Sequence, residues 1–158
     1  MKNLISSFLL VILFSVSITP LAQSHCQVPC GIYNDDMRFT MIAEHITTIE
    51  KAMNQIIMLE KEEDPNYNQI VRWVNNKDLH ADELADIVTY YFLAQRTRPY
   101  AGTDEDASHS YGTKLELLHQ LVYYAMSAKQ ATDLMNVEHL RTALEKFKQV
   151  YYEPVKIQ

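Results

Sequence analysis

The sequence predicts an all-α fold, an antiparallel four-helix bundle preceded by a short N-terminal metal-binding hook. Three observations point there. Four stretches place apolar residues at alternating three- and four-residue spacing, the period of one helix face. Only three glycines occur, and no run alternates apolar and polar residues as a half-buried strand does. The stretches are joined by mostly short connections, which suits helices that pack antiparallel to their neighbours.

The chain opens on a leader. Residues 1–24 carry one cation, Lys2, then an apolar run over 4–18, then Pro20 and the triplet Ala22-Gln23-Ser24. Small residues at the last and third-last positions suit cleavage after Ser24, and the run is shorter than the ~20 residues a spanning helix needs. The expectation is an exported protein, periplasmic or secreted, with no membrane attachment after processing. Removing residues 1–24 from 158 leaves 134, enough for one domain with a real core. The expected organisation is therefore a cleavable signal peptide over 1–24, a hook over 25–33 and a bundle over 34–158.

The helices follow in order. Asn34 and Asp35 are helix caps, and from there to about residue 61 Ile42, Ile46, Ile49, Met53, Ile56 and Ile57 share a stripe that excludes Glu50, Lys51 and Gln55. Residues 62–66, with Pro65 inside them, break it. A second helix is predicted from Tyr67, unbroken to about residue 97, through Ile70, Val74, Ala81, Leu84, Val88 and Tyr91, with Lys77 as its one polar interruption. Residues 98–112 hold Pro99, Gly102, Gly112 and an acidic-polar cluster, and read as a loop. The third helix, about 113–131, turns Leu115, Leu118, Val122, Ala125 and Met126 inward; the fourth, about 136–152, does so with Val137, Leu140, Leu144, Phe147 and Tyr151. Met37, Met41, Met53 and Met58 are expected in the core.

Residues 25–33, His-Cys-Gln-Val-Pro-Cys-Gly-Ile-Tyr, hold both cysteines. Cleavage after Ser24 would free the α-amine of His25. Five donors then lie within six residues: the amine and imidazole of His25, the backbone nitrogen and thiolate of Cys26, and the thiolate of Cys30. The amine titrates near ~7.7–8.0 and a thiol near ~8.5, so a divalent metal displaces their protons at neutral pH. The amide yields only to a metal anchored on both sides, which the amine and the neighbouring thiolate provide. Nitrogen and thiolate donors in one plane suit Ni(II) or Cu(II), whereas zinc prefers a tetrahedron. Other readings stand beside this one. The cysteines could pair as a disulfide in an exported helical interaction module, or the hook could serve a non-catalytic carrier of nickel or copper.

The pattern His25-Cys26-x-x-Pro29-Cys30-Gly31-x-Tyr33 resembles the nickel hook of nickel-containing superoxide dismutase. Weaker similarity continues in Asp64-Pro65, Tyr91-Phe92 and the stretch 118–122, so the resemblance covers the mature chain. It implies disproportionation of superoxide to dioxygen and hydrogen peroxide, with one nickel ion per subunit cycling between Ni(II) and Ni(III). His25, Cys26 and Cys30 would be the ligands, the His25 imidazole axial in the oxidised state. Tyr33 would stand over the open face and order substrate. Pro29 would bend the chain so that Cys30 returns to the metal, and Gly31 would permit close backbone passage. The family assembles six bundles into a hollow hexamer. Departures are Gln27 where the better-known branch is acidic, and the residues expected to support the imidazole. The glutamate position falls at Met41 or Ile42, with Glu44 nearest, and the arginine position near Lys77 or Asp78.

Charge excludes other classes. Without Lys2, 13 basic face 20 acidic side chains, a mature net of about −7 with no basic run, which argues against nucleic acid and anionic membranes. Any steering of an anionic substrate must be local. His45, His80, His109, His119 and His139 show no spacing that resembles a metal motif and read as solvated or hydrogen-bonded histidines. No nucleophile motif or glycine-rich phosphate loop is present.

Overall fold

The computed structural model describes residues 34–153, so the leader, the hook over 25–33 and the last five residues lie outside the described part of the chain. The described residues form four helices: α1 (Asp35–Leu59), α2 (Tyr67–Asp86) continuing as a π-helix over Ile87–Arg96, α3 (Glu105–Gln130) and α4 (Met135–Tyr152). No strand occurs among them. None of these helices is long and apolar enough to cross a membrane.

Each start has a local cause. Asn34 accepts from the Asp36 amide at 2.9 Å, and Asp35 and Asp36 set negative charge against the positive end of α1. Asn66 accepts from the Gln69 amide at 3.2 Å to open α2. For α4 the cap comes from one residue further out, where the Asp133 carboxylate accepts from the Met135 amide at 3.0 Å.

The chain folds up and down, with α1 packed on α2 and α4, and α3 packed on α2 and α4. The start of α1 meets the ends of the α2 segment and α4, since Asp35 bonds to Arg96 and Tyr151, so neighbours are antiparallel. The core runs through Ile42, Ile46, Ile49 and Met53 of α1, Leu84 and Val88 of the second helix, Leu118 and Leu121 of α3, and Leu140 of α4. Towards the hook end it becomes aromatic. Phe92 lies 4.7 Å from Phe39 and 5.1 Å from Phe147, centroid to centroid, with Tyr151 edge-on at 5.5 Å.

One bonding pattern and one boundary differ from the expected ones. The second helix does continue to Arg96, but its last ten residues change to π bonding. The third starts at Glu105 rather than near 113, because the Asp104 side chain accepts from the Ala107 amide at 2.7 Å and Glu105 and Asp106 favour a helix N-terminus. Gly112 is thus mid-helix and faces open space, not a loop. The true loop is tied by Tyr100, whose hydroxyl accepts from the Asp104 amide at 2.7 Å and donates to its carbonyl at 3.0 Å.

Burial corrects other expectations. Met126 is 53% exposed, because Ala125 points at the centre of the bundle and the next residue is turned about 100° away. Met37 and Met58 are also exposed, leaving Met53 as the buried one of the α1 methionines. Lys77 belongs to the inner face of α2 after all, only 2% exposed. Its ammonium donates to the carbonyls of Ala128 at 2.6 Å and Lys129 at 2.7 Å and to Asp78 at 2.9 Å, capping the negative end of α3.

Candidate metal centre

His25, Cys26, Cys30 and Tyr33 lie outside the described residues, but the seat on which their segment is rooted does not. Tyr33 is bonded to Asn34, so whatever fixes Asn34, Asp35 and Asp36 fixes the root of the hook. Asp35 is held hard. Its Oδ1 accepts from the Tyr91 hydroxyl and from Arg96 Nε at 3.1 Å, and its Oδ2 accepts from the Tyr151 hydroxyl at 2.7 Å. Arg96 Nη2 also donates to Tyr91 at 2.9 Å, and its guanidinium lies 4.7 Å from the centre of that ring. Beside this, Tyr152 donates to Asp36 at 2.9 Å. The first turn of α1 is therefore clamped to the ends of two other helices.

The π segment makes this possible. Bonding from i to i+5, as in the 2.9 Å bond from the Thr97 amide to the Phe92 carbonyl, brings residues five apart onto one face. Tyr91 and Arg96 are five apart and converge on the same carboxylate. In an α-helix they would point about 140° apart, which is why helical periodicity does not pair them.

The electrostatics reinforce the clamp. Burial pushes the Asp35 carboxyl up, but the bonds from Tyr91 and Tyr151 and the charge of Arg96 outweigh it and hold the group below its usual value. Burial and the bond to Asp35 raise both Tyr91 and Tyr151, and burial with Asp36 pushes Tyr152 up to about 12. These hydroxyls stay protonated donors across the physiological range. Arg96 also lines a cavity of about 220 Å³ between the end of the π segment and the first turns of α3. Arg98 and Lys114 share its wall, with Tyr100 and Tyr111. Three cations thus line one cavity on a chain of net negative charge, one of them, Arg96, paired with Asp35.

The positions expected to support the His25 imidazole carry other work. Ile42 is fully buried in the core, and Met41 Sδ accepts from Arg38 Nη1 at 3.4 Å. Glu44 is exposed. The three ammonium donors of Lys77 are all spent on Asp78 and the end of α3.

Sequence periodicity missed Asp35 as anything more than a cap, and Arg96 altogether. It also missed a histidine pair. His45 of α1 and His80 of α2 face each other with their Nδ1 atoms 2.8 Å apart, and Glu83 lies against both. Burial and the opposing imidazole lower His45, against the pull of Glu83 and Glu44. The signal was present as His80-x-x-Glu83, one helical face. Its partner came from another helix. His139 stacks on Tyr124 at 4.5 Å, a packing role.

A family model described as nickel-containing superoxide dismutase matches residues 20–154, which takes in the hook and all four helices. No curated protein and no solved structure matches the chain.

Proposed function

We propose, since the chain belongs to the nickel-containing superoxide dismutase family, that its nickel is held by the α-amine and imidazole of His25, the amide nitrogen and thiolate of Cys26, and the thiolate of Cys30. The chain is a nickel-dependent superoxide dismutase, an oxidoreductase that disproportionates superoxide to dioxygen and hydrogen peroxide. The observation that carries the ligand assignment is the complete donor set of 25–33 inside the matched region. That set fits the ion: amine, amidate and thiolate donors would suit Ni(II), and their electron density would make the higher oxidation state reachable. Bound nickel supplies the one-electron couple, one ion per subunit.

The remaining roles belong to this chain's own groups. Cys26 and Cys30 must be deprotonated and unpaired. His25 must be the first residue, because an added residue would turn its amine into an amide without a free lone pair. Tyr33 orders substrate beside the hook. Asp35, with Tyr91, Tyr151 and Arg96, holds the hook's root at the bundle end. Arg96, Arg98 and Lys114 supply the local positive field that the overall charge does not.

Export to the periplasm or medium follows from the leader-like residues 1–24, whose removal exposes His25. A homo-oligomer, the hexamer of the family, is supported by large apolar side chains exposed along the second helix, among them Tyr67, Val71, Leu79, Tyr90 and Leu93.

The test compares superoxide dismutation by nickel-loaded protein beginning at His25 with the same protein carrying one extra residue ahead of it. Activity in the first and none in the second, or in Cys26→Ser or Cys30→Ser, is expected. Nickel bound without turnover by the chain beginning at His25 would leave an exported nickel or copper carrier instead.

A further inference from the structure

The α1–α2 face brings three metal-binding groups to one point. His45 Nδ1 and His80 Nδ1 are 2.8 Å apart, and Glu83 Oε2 lies 3.5 Å from each. The rings are tilted by 47°, with centroids 5.1 Å apart, so their Nδ1 corners converge while the rings diverge. A shared proton accounts for the first contact, one imidazole donating and the other accepting. It does not account for the carboxylate, which stands equally far from both nitrogens and beyond a good hydrogen bond to either.

A single cation accounts for all three. An ion about 2.1 Å from every donor would see the 2.8 Å edge under about 84° and the 3.5 Å edges under about 113°. The first angle falls a few degrees short of the right angle of an octahedral face, and the second a few degrees beyond the tetrahedral angle. All three ligand atoms are already in range without moving a helix. His45 is 12% exposed and His80 26%, while Glu83 at 47% leaves one side open for the ion to enter and for water to complete its coordination.

We propose that His45, His80 and Glu83 form a second metal site, taking a divalent first-row transition ion and clamping α1 to α2. Two imidazoles and one carboxylate with open positions suit Zn²⁺, Co²⁺, Ni²⁺ or Cu²⁺. The donor set lacks the thiolates and amidate of the hook, and the consequence of binding is for the fold. His80 and Glu83 come from one face of α2 and His45 from α1, so binding crosslinks the two helices and stabilises the fold by mass action.

The test uses the full mature chain, free of affinity tags, with Cys26→Ser and Cys30→Ser so that the hook has no thiolates. Titration with Co²⁺ is expected to give one ion per chain, with visible ligand-field absorption and no sulfur charge-transfer band. Zn²⁺ is expected to raise the thermal midpoint. Adding Glu83→Gln or His80→Gln should weaken binding by at least about tenfold and abolish that rise. Glu83 is at the surface, so its variant separates ligand loss from misfolding, which the helical circular dichroism checks. No bound ion in the parent, or the same stoichiometry and affinity in both added variants, would overturn the site.

Discussion

Asp35 joins the hook to the fold, and its replacement by asparagine tests that directly. Asn keeps the shape but loses the charge and leaves Tyr91, Tyr151 and Arg96 competing for one neutral oxygen. The expected loss is ~1–3 kcal/mol, read as a lower urea midpoint. The sign with pH follows from the depressed carboxyl. Its contribution is complete above the unfolded value near ~3.9 and fades as pH falls through the lower folded value. The gap between wild type and Asp35→Asn should therefore narrow below pH ~4; a gap that persists to pH ~2 would assign the effect to shape rather than charge. Lys77→Met makes the complementary case. It would strip donors from the carbonyls of Ala128 and Lys129 and cost a further ~1–3 kcal/mol, although methionine fits the apolar surroundings. The hook's donors can be proposed from the sequence alone because they are contiguous. Asp35, Arg96 and the His45–His80 pair cannot, because their partners are 61 and 35 residues away and periodicity reports faces, not meetings between faces.

At the scale of elements, sequence spacing found every helix because the core stripes are strong, and it located the start of α2 and the extent of α4 closely. It failed at the polar start of α3. The acidic run 104–106 reads as loop by composition, yet it is a cap and two acids against a helix N-terminus. Gly112 strengthened that misreading, and it offers a clean test: Gly112→Ala adds a Cβ into open space in mid-helix and should stabilise the protein by ~0.5–1 kcal/mol. A loss of stability would argue that α3 starts after it. The π segment was illegible for a different reason, since nothing in an apolar stripe distinguishes i+4 from i+5 bonding over ten residues. It carries Phe92, fully buried between Phe39 and Phe147, and Phe92→Ala should cost ~3–5 kcal/mol by thermal or urea unfolding. The same substitution loosens the turn that presents Tyr91 to Asp35, so its nickel-dependent activity should fall at temperatures where the fold still holds.

For the whole molecule the governing fact is that an anionic substrate meets a chain of formal net charge −6, or about −7 once Lys2 is removed. Long-range attraction is absent, and a uniform field of this sign would slow encounter. The pocket wall gathers Arg98 and Lys114 beside Arg96, which is itself paired with Asp35. Fields of this kind act over a Debye length of about 10 Å at 0.1 M salt, so these cations steer superoxide only to a metal that sits within about that distance of them. Arg98→Glu with Lys114→Glu leaves Arg96 on Asp35 and the aromatic core untouched. With nickel content unchanged, kcat/KM for superoxide should drop about tenfold at low ionic strength, and the decline with added salt seen for the wild type should flatten or invert. An unchanged salt dependence would mean that superoxide reaches the hook by another face, leaving the three cations to hold the 97–104 loop against α3.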